Sequence, residues 1–163
     1  VKNVLISVYE FSELTPAAKG KAREWYRDGM DYAWTEESRQ SIERFCERYG
    51  AKLTDWSISA GCPIHYRLDM PAGMLRGVKL RDINRDDMPT GYCLDCALYM
   101  TFHDEWKRTS DPRAAFRAAI DAAFQEWRED MEYQLSDEAA DESIEINGYQ
   151  FTESGKFFNG GIK

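Results

Sequence analysis

Residues 92–103 read YCLDCALYMTFH. Leu94, Cys96, Leu98, Met100 and Phe102 recur at every second position, which predicts a strand with its apolar residues on one face. Upstream, residues 52–59 carry Leu53, Trp56 and Ile58 as the apolar points of another strand. Gly61-Cys62-Pro63 is a turn signal, and Ile64, Tyr66 and Leu68 then alternate with His65, Arg67 and Asp69. Residues 2–9, KNVLISVY, also alternate and predict a first strand. Between the last two central strands, Pro71, Gly73, Gly77, Pro89 and Gly91 break any period, so 71–91 is expected to be a long irregular loop and a place for mobility and function.

Helical patterns flank these strands. Thr15 precedes Pro16, an N-cap followed by a proline at the first helical position, and Ala18, Ala22, Trp25, Tyr26, Met30 and Ala33 follow at helical spacing. A second helix starts at Thr35, with Glu36 and Glu37 suited to the positive end of its dipole and Gly50 as its stop. Downstream, Ser110-Asp111-Pro112 opens the longest stripe: Phe116, Ile120, Ala123, Phe124, Trp127, Met131 and Leu135. Ser136 caps a shorter helix over 137–146, ended by Asn147-Gly148. Residues 149–158 read as a hairpin, and the tail from Asn159 is expected to fray. Clustered strands with flanking helices predict an α+β fold: a small antiparallel sheet with helices packed on one face and a C-terminal hairpin, over residues 1–163 as a single domain.

With 43% hydrophobic, 13% aromatic and 31% charged residues in a chain of 163, a packed soluble domain is expected rather than disorder. Acids outnumber bases 29 to 21, which disfavours direct binding to nucleic acid or anionic lipid. No apolar run reaches membrane-spanning length and no basic-then-apolar leader precedes the first strand, so cytoplasmic placement without a membrane partner is expected.

The charge is concentrated. Between residues 126 and 145 lie Glu126, Glu129, Asp130, Glu132, Asp137, Glu138, Asp141, Glu142 and Glu145, opposed only by Arg128. This window carries the whole net charge of −8, and the rest of the chain is neutral. Such a window either keeps the protein soluble or docks on a basic partner. Trp34 and Trp106, placed at element ends, are candidate aromatic anchors for the same face; the alternative is that they close the edges of the core.

Two cysteine-bearing pairs have metal-ligand spacing: Cys62 with His65, and Cys93 with Cys96. Zinc is a possible cofactor on that arithmetic, but residues three apart on a strand point to opposite faces, which favours buried free thiols and no cofactor. A disulfide is not expected in a cytosolic chain with so few cysteines. His65 and His103, each near an acid, are the candidate acid–base pair for a small hydrolase or nucleotide-modifying enzyme. No phosphate loop, dinucleotide fingerprint or nucleophile elbow is present, so catalytic residues are not assigned.

Residues 8–27, VYEFSELTPAAKGKAREWYR, resemble the start of a group of small acidic proteins of tailed phages and prophages, with the pattern E-L-[ST]-x-x-A-K-x-K-A-R-x-W-[YL]. Residues 136–155, from SDEA to NGYQFTESG, are similar to that group's ending, N-x-Y-x-F-T-x-x-G. The resemblance implies a phage origin and action inside a bacterial cell, and it supplies no catalytic residues. Some members of the group carry an antitoxin label. Together these readings predict an inhibitor, anti-defence or host-takeover in kind, that occupies a basic surface on a host protein. An antitoxin-like partner of a basic toxin is the same physics, and a structural phage component is a further alternative.

Overall fold

The computed structural model describes residues 5–160. In chain order the elements are β1 (Tyr9–Glu10), a 3-10 turn (Phe11–Glu13), α1 (Pro16–Asp28), α2 (Thr35–Arg48), β2 (Lys52–Ser57), β3 (His65–Asp69), a second 3-10 turn (Leu80–Asp82), α3 (Leu94–Thr109), α4 (Pro112–Gln134), α5 (Asp137–Ile146) and β4 (Gln150–Phe151). This is an α+β protein, with five helices and two antiparallel sheets of two strands each among the described residues. The elements fall into two compact units: residues 1–32 together with 133–163, and residues 33–132.

The first unit joins the two ends of the chain. Thr15 caps α1 by accepting the Ala18 N–H at 3.3 Å, and Ser136 caps α5 by accepting the Ala139 N–H at 3.2 Å. Tyr9 pairs with Phe151 and Glu10 with Gln150. The strand expected over residues 2–9 is a correction: residues 5–8 take no regular structure, with Leu5 and Ile6 exposed, so no buried face rewards the alternation and only Tyr9–Glu10 pair; residues 1–4 lie outside the described residues. Phe11, Leu14, Ala18, Ala22, Ile144 and Phe151 are buried together, with Trp25, Tyr149 and Phe157 packed against them. Trp25 stacks on Phe157 at 4.1 Å between ring centroids. The C-terminal hairpin is tight: Thr152 N–H donates to Lys156 O at 2.9 Å and Phe158 N–H to Gln150 O at 2.8 Å. It turns at Gly155, at φ +83°, directly against the backbone of Ala18. Helix α1 stops at Asp28 rather than continuing to 33, because Gly29 takes the C-cap and returns its N–H to the Tyr26 carbonyl at 3.2 Å.

The second unit is built on α2, α3 and α4. Phe45 of α2 is fully buried and its ring lies 5.0–5.5 Å from those of Tyr49, Tyr99, Phe102 and Phe116. Strands β2 and β3 pair antiparallel from Lys52↔Asp69 to Ser57↔His65, with a register shift between Leu53 and Asp55. This hairpin sets its aromatic face on α4: Trp56 lies 5.1 Å from Trp127, and Tyr66 stacks on Phe124 at 4.8 Å.

The expected strand over residues 92–103 is a correction. These residues belong to helix α3. Its buried residues are Leu94, Asp95, Leu98, Tyr99 and Phe102, spaced for one helical face, while Cys96 and Met100 fall outside that stripe. Both periods are present in the run, and the helix wins because it buries Tyr99 and Phe102 against Phe45.

Residues 71–91 are irregular, as expected, apart from the turn Leu80–Asp82. The segment is nevertheless pinned. Arg113 donates to the carbonyls of Met70 and Pro71 at 2.8 and 3.1 Å, Leu75 N–H donates to Tyr49 O at 3.0 Å, and Arg48 pairs with Asp87. At its far end Asp95, fully buried, accepts from Thr90 N–H, Thr90 Oγ1 and Gly91 N–H at 2.8, 2.8 and 3.0 Å.

Candidate interaction surface

The acidic window divides between the units. Glu126, Glu129, Asp130 and Glu132 lie on α4 in the second unit, while Asp137, Glu138, Asp141, Glu142 and Glu145 lie on α5 in the first. Each group meets its own neighbours.

On α4, burial and the nearby charges of Glu129 and Asp130 push the Glu126 carboxyl up, towards its neutral form. Glu129 accepts from Gln125 at 2.6 Å. Glu132 accepts the Gly61 N–H at 3.2 Å and lies 3.8 Å from Arg128. These acids are partly spent within the second unit.

On α5 the acids separate by face. Arg23 of α1 grips Asp141 through two hydrogen bonds of 2.6 Å and reaches Asp137 at 3.1 Å. Arg27, one turn on, pairs with Asp137 and donates to Leu135 O at 2.8 Å. The hydrogen bond from Arg27, with the charges of both arginines, holds the Asp137 carboxyl below the usual range; the hydrogen bond to Asp141 raises Arg23. Arg23 and Arg27 stand four apart on α1, matching the four-residue step from Asp137 to Asp141 on α5. That matching spacing was the signal for this pairing; a charge count along the chain misses it.

Glu138, Glu142 and Glu145 are exposed and, among the described residues, their carboxylates make no hydrogen bond or ion pair. They follow one another by four and three residues and share the outer face of α5. Ile146 beside them is 77% exposed. A hollow of about 320 Å³ opens next to Glu145, lined also by Glu10, Phe11, Ser12, Ile144, Gly148, Tyr149 and Gln150. The α5 end thus offers a row of carboxylates, an exposed isoleucine and a recess.

The aromatic candidates have different surroundings. Trp34 precedes α2, is 47% exposed and stacks with Tyr92 at 6.4 Å. Trp106 is not at a strand end: it lies in α3, half-buried, 5.4 Å from Phe102. Both belong to the second unit.

The four candidate zinc ligands are not gathered. Cys62 lies between β2 and β3, His65 opens β3, and Cys93 and Cys96 begin α3. Among the described residues, no group of three or more His, Cys, Asp or Glu side chains is arranged to hold a metal ion. The expectation of buried thiols holds for Cys46 alone; Cys62 is exposed in the β2–β3 turn, and Cys93 and Cys96 are exposed because the buried stripe of α3 runs through Leu94, Asp95 and Leu98 and leaves both cysteines off it. His65 lines a shallow depression with Asp55, Ile64, Tyr66 and Arg67, whereas His103 lies on α3 with its Nδ1 2.8 Å from Asp104. Among the described residues, no helix is long and apolar enough to cross a membrane. Compared with known protein families, curated proteins and solved structures, the chain matches none.

Proposed function

We propose that the protein is a phage-encoded inhibitor that acts inside the bacterial cell by docking on a basic surface of a host protein. The observation that carries this reading is the unpaired row Glu138, Glu142 and Glu145 on the outer face of α5, with the exposed Ile146 at its end. Carboxylates spaced along a helix compete for the lysines and arginines that a protein presents to nucleic-acid phosphates, and an adjacent apolar side chain adds a contact that excludes water. Asp137 and Asp141 serve a different end, since Arg23 and Arg27 hold them within the unit. The docking row is therefore shorter than the acidic window. Support for the phage setting is the likeness of residues 8–27 and 136–155 to small acidic phage and prophage proteins. An antitoxin masking a basic toxin would use the same row.

The test is capture of bacterial proteins on the immobilised chain at low salt, with elution at about 0.5 M salt, where charge-led contacts are screened. The expected result is a specific basic partner retained by the native chain, released by salt and lost in the variant Glu138→Lys, Glu142→Lys, Glu145→Lys. Retention should persist in Glu24→Lys on α1. A partner held equally well by the triple variant would reject the reading.

A further inference from the structure

Residues 93–96 read CLDC, and the fold treats the four side chains in two ways. Leu94 and Asp95 are buried, at 2% and 0% exposure, while Cys93 and Cys96 on either side are exposed. Cys93 is the N-cap residue of α3, and the Cys96 N–H donates to the Cys93 carbonyl at 3.0 Å. That hydrogen bond closes a single turn, in which the first and fourth Cα atoms lie within about 7 Å. A disulfide needs a Cα separation of about 4.4–6.8 Å. The turn is held from inside by Leu94 in the core and by Asp95, whose carboxylate binds Thr90 and Gly91. Two accessible thiols are thus fixed one turn apart on an anchored backbone. Cys96 also lies against sulfur: its Sγ is 3.3 Å from Sδ of the exposed Met88.

We propose that Cys93 and Cys96 form a reversible redox site that is oxidised to an intramolecular disulfide by thiol–disulfide exchange with a disulfide-bonded co-reactant such as oxidised glutathione. In the first step the Cys96 thiolate attacks one sulfur of the co-reactant; its S–S bond breaks, a mixed disulfide forms, and one thiolate leaves and takes a proton. In the second step the Cys93 thiolate attacks Cys96 Sγ, forming the Cys93–Cys96 bond and releasing the second thiol. Two electrons pass from the protein dithiol to the co-reactant, and the two thiol protons end on the released thiols. Burial, with Glu126 and Asp130 nearby, pushes the Cys93 thiol up, which leaves Cys96 as the attacking thiol and Cys93 as the resolving one. In a reducing cytosol such a pair is transient and responds to oxidative stress.

The folded protein, equilibrated in mixtures of reduced and oxidised glutathione, provides the test. Thiol alkylation with intact-mass and peptide analysis should show loss of two of the four free thiols, mapped to Cys93 and Cys96, and their recovery on reduction. Cys62→Ser should behave as the native chain. Cys93→Ser should stop at a glutathione adduct on Cys96 that does not resolve. The proposal is overturned if all four thiols stay reduced while glutathione is fully oxidised. It is equally overturned if the bond that forms involves Cys62, or if the Cys93→Ser variant carries no more adduct than the native chain.

Discussion

A Cβ atom added to Gly155 would stand 2.8 Å from the carbonyl carbon of Ala18 and 2.9 Å from its Cα, and closer still to its oxygen. The hairpin tip therefore rests on the backbone of α1 itself, and neither partner has a flexible side chain to move aside. Gly155 is also at φ +83°, a conformation that L side chains rarely adopt. Gly155→Ala should destabilise the first unit by about 3 kcal/mol. Gly148→Ala, at φ +62° in open space, should cost about 1 kcal/mol. Urea unfolding of both variants, with hydrogen exchange of the α1 amides as the local readout, checks the difference.

Asp95 gathers three donors from the end of the irregular segment. Asp95→Ala would strip partners from Thr90 N–H, Thr90 Oγ1 and Gly91 N–H at a fully buried position. A loss of about 3 kcal/mol is expected, with Asp95→Asn costing less because an acceptor oxygen remains. Limited proteolysis should show new cleavage within residues 71–91 in the alanine variant. Unchanged protection would mean that the segment is held by Arg113, Arg48 and the Leu75–Tyr49 backbone bond without Asp95.

Two exposed carboxylates titrate low. Asp104 is drawn to about 2, first by the hydrogen bond from Arg85 and then by His103; Glu36 is drawn to about 2, first by Arg39 and then by Gln40. A carboxyl depressed by folding contributes stability above its ordinary value and loses it as pH falls through the folded value. The contribution from both groups is thus complete above roughly pH 5.5, falls progressively as pH drops from about 5 to 2, and is lost below that. Carboxyl NMR titrations should give midpoints near 2 for both. Arg85→Ala should return Asp104, and Arg39→Ala should return Glu36, towards the ordinary carboxylate range.

Much of this architecture was legible from capping and turn chemistry. Thr15-Pro16 and Ser136 mark the starts of α1 and α5, the stripe from Phe116 to Trp127 is the buried face of α4, and Gly61-Cys62-Pro63 falls between β2 and β3. The failure came at residues 92–103, where an apolar run satisfies two periods at once. Asp95 was the available arbiter: within a strand it belongs to the polar face, whereas on a helix it shares the stripe of Leu94, Leu98 and Tyr99. The charge reading failed in part for a related reason. Asp137 and Asp141 are uncompensated along the chain but meet Arg23 and Arg27 from a segment more than a hundred residues away, a pairing that depends on folding both chain ends into one unit.

That union of distant segments also dictates an order of events on the ribosome. Residues 33–132 emerge as an uninterrupted stretch and can condense while synthesis continues. Phe11 and Trp25, made earlier, must wait for Phe151 and Phe157 before they are covered. A chain that has not yet reached Phe151 and Phe157 therefore carries Phe11 and Trp25 without the rings that cover them, apolar surface of the kind that favours misassembly.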